Sequence, residues 1–114
     1  MQFVNMEVWK RSRILAIAVY REVAGLRDYG FKDQITRSAL SVPSNIAEGL
    51  ERGTNPDKSR FIEYAKGSLA ELRTQIDIGI EIGYISADIG NDWIQECCEL
   101  SLMLLGLLKK LKAE

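Results

Sequence analysis

Apolar residues recur every three or four positions along four successive segments of this chain, and no segment alternates apolar with polar over a useful length. Residues three and four apart share one face of an α-helix, whereas a half-buried strand needs a period of two. The pattern calls for helices and leaves no material for a sheet. The first segment, about Met6 to Arg27, places Val8, Leu15, Ala16, Val19, Val23 and Leu26 on one face, with Trp9 and Tyr20 at its edge. Gly30, in "RDYG", suits the backbone that ends such a helix. The third segment opens with Asn55 as the expected N-cap, Pro56 at the first helical position and Asp57 in the first turn. Its stripe is Phe61, Ala65, Leu69, Leu72 and Ile76, then Gly79 and Ile80, ending near "GYIS".

The second segment, about Phe31 to Glu51, spaces Ile35, Ala39, Val42, Ile46 and Leu50 in helical phase straight through Pro43. Proline has no N–H to give the carbonyl of Ala39, and its ring crowds that carbonyl, so a helix continuing through it is expected to kink. The unbroken stripe favours one kinked helix over a loop followed by a new helix capped by Ser41. A kink leaves backbone groups in need of partners. Ser44, Asn45 and Glu48 stand on adjacent turns to supply them. In the third segment Gly67 and Ser68 are small, Glu71 follows one turn later, and Arg60 lies two turns ahead. A polar network around Pro43 that links Asn45 and Glu48 with Arg60, Ser68 or Glu71 would fix the register of the two helices.

The fourth segment runs from Ser86 to about Leu111 and is apolar on two sides. Ile94, Cys98, Leu105 and Leu108 lie on one; Trp93, Leu100, Leu104, Leu107 and Leu111 lie on the other. A helix apolar nearly all round is usually covered twice, and in a small domain the second cover is most simply another copy. Trp93, Leu100, Leu104, Leu107 and Leu111 are the expected homo-oligomer interface. Four helices with short connections make an all-α, antiparallel up-down four-helix bundle, one domain over residues 1–114.

Three absences narrow the chemistry. There is no histidine, which removes the commonest general base, the commonest transition-metal ligand and every histidine-activated nucleophile. No Gly-rich phosphate loop precedes a helix, since "AKGSLAEL" falls in mid-helix. Glu48 and Glu71 alone would suit only a hard cation such as Mg²⁺. The chain reads as no enzyme and as needing no cofactor. Cys97 and Cys98 are adjacent and would point about 100° apart on a helix, as two small hydrophobes rather than a bridge. No run of eighteen apolar residues exists, and "MQFVNMEVWKRSR" lacks the apolar core of a signal peptide. The expected compartment is the cytoplasm.

Charge is unevenly spread behind a net value of −1. Residues 1–73 carry 12 basic and 9 acidic side chains, whereas residues 74–108 carry six acids and no base. On an ideal helical wheel Lys10, Arg13, Arg21 and more loosely Arg27 fall within about 120°, beside the apolar face. Such a stripe is either a solvated face or, repeated around an oligomer, a multivalent surface for phosphates. Asp88, Asp92, Glu96 and Glu99 line the fourth helix, and a basic partner would relieve their mutual repulsion.

The stretches "VWKRSRILAIAVYRE", "QITRSALSVPSNIAEGLERGT" and "RFIEYAKGSLAELRTQIDIGIEIGYI" resemble the four-helix-bundle proteins encoded in 23S ribosomal RNA intervening sequences. Accessory variability proteins of diversity-generating retroelements belong to the same superfamily. The likeness spans nearly the whole chain and is weakest in the fourth segment. The connection "AGLRDYGFKDQ" is shorter than the family's and lacks its proline-containing loop. The resemblance implies a kinked second helix and a ring-like oligomer, a pentamer. It also implies a non-enzymatic scaffold, since the retroelement relatives are adaptors that bind reverse transcriptase and RNA. Structured RNA or an RNA–protein assembly is the expected partner. A protein-only adaptor is the alternative.

Overall fold

The structure, a computed structural model, describes residues 6–114. The first five residues of the stretch read as lacking a leader lie outside the described residues. Four helices follow in order: α1 (Glu7–Val23), α2 (Tyr29–Leu50), α3 (Asn55–Glu81) and α4 (Ala87–Ala113). No strand occurs among the described residues.

The starts of α2, α3 and α4 and the end of α3 each have a local cause. Asp28 caps α2 by accepting from the backbone N–H of Phe31 at 3.1 Å, which draws the helix start upstream of the expected Phe31. Gly30 therefore lies in the first turn of α2 instead of ending α1, which stops at Val23. Thr54, not Asn55, caps α3, accepting from the N–H of Asp57 at 3.3 Å. Asn55 is the first helical residue and uses its side chain elsewhere, donating to the carbonyl of Leu111 at 3.1 Å. Ser86 caps α4 through the N–H of Ile89 at 3.4 Å. At the end of α3, Gly83 takes φ +84°, the left-handed backbone that a Cβ disfavours. Tyr84 N–H then reaches Gly79 O at 2.8 Å and Gly83 N–H reaches Ile80 O at 3.1 Å, a Schellman closure that satisfies two end carbonyls.

α2 passes through Pro43 as a single helix, so the rival start at Ser41 is not taken. The Pro43 ring is buried, in phase with Ile35, Ala39, Val42 and Ile46.

The helices pack in a closed ring: α1 on α2, α2 on α3, α3 on α4 and α4 back on α1, the last seam being the thinnest. No backbone contact joins the diagonal pairs among the described residues. At one end of this 45 × 21 × 21 Å rod, Tyr84 donates its hydroxyl to Asp28 at 2.9 Å and meets the Phe31 ring edge-on at 5.2 Å. At the other, Met6, Leu50, Leu107 and Leu111 gather around one recess. Close approach between helices is set by Gly49, Gly79 and Gly90. A Cβ on Gly49 would stand 3.0 Å from Phe61 Cβ, one on Gly79 would stand 2.7 Å from Ile85 Cδ1, and one on Gly90 would overlap Ile80.

Candidate nucleic-acid interface

The four basic residues expected on one stripe of the first helix divide into three fates. Lys10 is exposed and, among the described residues, has a loose pair with Glu7, one turn away at 3.9 Å. Arg13 and Arg21 are exposed and have no carboxylate partner among the described residues. They stand on the rim of a groove of about 320 Å³ between α1 and α2, whose other lining is Ala16, Ile17, Tyr20, Leu40 and Pro43. Arg27 lies in the α1–α2 connection, exposed and outside that lining.

Two residues of the groove stand well out of the core: Tyr20 is 44% exposed and Leu40 51%. The same pair borders a second recess, which α2 completes with Asp33, Thr36 and Arg37. Arg37, like Arg13 and Arg21, is exposed without an ion-pair partner among the described residues. Arg37 and Leu40 were not expected at this site. Both belong to α2, and only the packing of α2 against α1 brings them beside Tyr20.

The acidic side of α4 is met from within the chain. Arg11, which no sequence pattern singles out, donates from Nε to Glu96 at 2.9 Å and from Nη2 to Glu99 at 2.8 Å, with a further bond from Nη2 to Glu96. These carboxylates hold the Arg11 guanidinium firmly in its charged form. Glu99, bonded by Arg11 and by Gln95, is held below the ordinary carboxylate value. The cluster spans the thin α1–α4 seam and leaves Lys10, Arg13 and Arg21 out of it. Asp88 and Asp92 remain exposed.

The polar network around Pro43 is smaller than expected and centres on Ser41. Its hydroxyl meets that of Ser68 at 2.8 Å, and Asn45 donates to both the Ser41 hydroxyl at 2.8 Å and the Ser41 carbonyl at 2.9 Å. The other residues expected there lie elsewhere. Glu48 pairs with Arg52 at 2.8 Å, and Arg60 reaches Asp57 at 3.3 Å and lies over the Phe61 ring. Ser44 and Glu71 are exposed, and nothing lies within 4 Å of a Cβ added to Gly67. Glu48 and Arg60 each take a partner three or four residues away and do not cross the α2–α3 seam.

The expected oligomer face requires correction. Trp93, Leu100, Leu104 and Leu111 are buried in the core of the single chain, and Leu107 is half-buried against it. The core takes Trp93, Cys97, Leu100, Leu104, Leu108 and Leu111, a stripe made mostly of the side expected to face another copy, with Cys97 and Leu108 added at its edge. The apolar surface left outside α4 is instead Leu102, 68% exposed, and Leu105, 37% exposed, with Ile89, 37% exposed, in the first turn. Cys97 is an interior hydrophobe, its thiol pushed up to about 12 chiefly by loss of solvent. Among the described residues no three His, Cys, Asp or Glu side chains gather as metal ligands, and no helix is long and apolar enough to cross a membrane.

Such a molecule is defined by a four-helix bundle with an arginine-rimmed groove. The family model of the 23S rRNA-intervening sequence protein matches residues 4–106, and the chain belongs to that family. A crystal structure of a protein of unknown function from the S23 ribosomal protein family of Bacteroides thetaiotaomicron superposes with a TM-score of 0.83. It is 21% identical, over 90% of this chain and 98% of that one, and supports the fold. No curated protein matches. The family and its solved neighbour carry no assigned function, and neither points to a catalytic family.

Proposed function

We propose that the chain is a non-catalytic, cytoplasmic scaffold that binds structured RNA, alone or within an RNA–protein assembly, along the α1–α2 face. The supporting observation is that Arg13 and Arg21 are exposed and have no carboxylate partner among the described residues, while Arg11 neutralises the neighbouring acids of α4. A cation already committed to a carboxylate has little left for a phosphate; these two are uncommitted. Part of the same reading is an antiparallel, up-and-down order with α2 bent at Pro43, a bend that residual dipolar couplings along α2 would measure.

Binding to a fluorescent structured RNA across a salt series tests the reading. Each phosphate contact contributes roughly 0.7–0.9 to the slope of log affinity against log salt. Replacing Lys10, Arg13 and Arg21 by Glu is expected to abolish binding while circular dichroism stays helical. Absence of binding to the unaltered protein at low salt would sink the proposal and favour the protein adaptor.

Self-association is proposed through the outer face of α4, where Leu102 and Leu105 stand exposed beside half-buried Ile94 and Cys98. The family resemblance implies five subunits. Leu102→Asp with Leu105→Asp is expected to reduce the assembly to monomers in native mass spectrometry. An unchanged mass would remove this face from the interface.

A further inference from the structure

We infer that the RNA feature held in the α1–α2 groove is an unpaired nucleotide, its base against Tyr20 and Leu40 and its flanking phosphates on Arg13 and Arg21. The inference rests on the RNA reading above and narrows it from RNA in general to looped or single-stranded segments. Three properties of the groove carry it.

The first is where the charge sits. Arg13 and Arg21 are on the rim, and the groove between them is apolar but for the Tyr20 hydroxyl. A duplex presents phosphates and ribose hydroxyls outward and keeps its base faces stacked, so docking it here would set polar groups over an apolar floor without partners. An unstacked base offers an apolar face of its own. Stacking on an exposed aromatic ring is the general means of holding one.

The second is size and span. A volume of about 320 Å³ lies at the small end of ligand clefts, which run from roughly 300 Å³ upward. It admits one planar group, not a helix. Arg13 and Arg21 are eight residues apart, about 12 Å along the helix axis at ~1.5 Å per residue. That distance straddles one nucleotide and reaches phosphate on both sides of it.

The third is the adjoining recess. Its lining, beside the same Tyr20 and Leu40, includes Asp33, whose carboxylate can only accept hydrogen bonds, and Arg37, whose guanidinium can only donate them. A bare phosphate is repelled by Asp33. A ribose hydroxyl or a base edge, carrying both donors and acceptors, satisfies both side chains.

The test compares a fluorescent hairpin RNA carrying an unpaired loop with a blunt duplex of the same length, at equal salt, using the full chain. Loop RNA is expected to bind at least about tenfold tighter than the duplex. Tyr20→Ala is expected to weaken loop binding roughly 5- to 100-fold, the range for losing one stacked base, and to leave the weaker duplex binding unchanged. Tyr20→Phe keeps the ring and is expected to restore loop binding. A 2-aminopurine placed in the loop reports stacking by a fluorescence change that Tyr20→Ala abolishes. Equal affinity for loop and duplex, with Tyr20→Ala silent on both, overturns the inference and leaves the RNA scaffold standing. Failure of both RNAs to bind at low salt removes the inference and the RNA scaffold together.

Discussion

The Ser41 hydroxyl joins Ser68 on α3 and takes a hydrogen bond from Asn45 on its own helix, so one small side chain ties a turn of α2 to its neighbour. Removing it strands the Ser68 hydroxyl half out of water. Ser41→Ala is expected to cost about 1 kcal/mol, the net worth of one or two neutral hydrogen bonds, and to lower the thermal midpoint by roughly 5 °C by circular dichroism. Ser44→Ala, three residues on and exposed, is the near-neutral control. The sequence placed Asn45 and Ser68 in one network because small polar residues flanked a mid-helix proline. It misplaced Glu48 and Arg60, because their reach permits several partners and proximity along the helix chose Arg52 and Asp57. Tyr20 was visible as an edge residue. Its partnership with Leu40 and Arg37 was not, since helical phase says which face a residue occupies and nothing of what lies opposite.

Between whole helices, spacing is governed by three glycines, and only contact geometry tells them from the rest. A Cβ at position 90 would overlap Ile80, whereas one at position 67 meets nothing within 4 Å. Gly90→Ala is expected to destabilise by about 1–3 kcal/mol through overpacking, despite alanine's better helix propensity. Gly67→Ala is expected to stabilise by about 0.5–1 kcal/mol, since open space leaves only the propensity gain. Urea midpoints of the two variants should move in opposite directions; movement the same way would refute the packing argument. The same element-scale ambiguity explains α4. Its apolar residues cover more than half the circumference, so two faces satisfied the periodicity equally well. The inward one was decided by α3 and α1, which periodicity within α4 cannot register.

For the molecule as a whole, the titration profile follows from which groups are shifted and which are missing. Asp28, bonded by the Phe31 N–H and the Tyr84 hydroxyl, and Glu99, bonded by Arg11, both sit below their ordinary values of 3.8 and 4.5. A lowered carboxylate stabilises the fold above its unfolded value and loses that contribution as pH falls through the folded one. Cys97 and Tyr84 are raised from 9.0 and 10.0, so their contribution is complete below those values and is lost as pH climbs. With no histidine, no side chain of ordinary pKa titrates in between. The urea midpoint is expected to stay level from about pH 5.5 to 8.5 and to fall on either side. Asp28→Asn with Glu99→Gln is expected to shallow the acid limb. A slope near pH 6.5 would contradict the assignment.

The thin seam between α1 and α4 has a mechanical consequence. α1 behaves as a door hung along α2 and latched to α4 at Arg11. Opening by that route parts the latch and, if the hinge also gives, carries away one wall of the groove. An occupant gripping both α1 and α2 bolts the hinge side, so ligand and latch would slow the same hydrogen exchange in α1 from opposite edges.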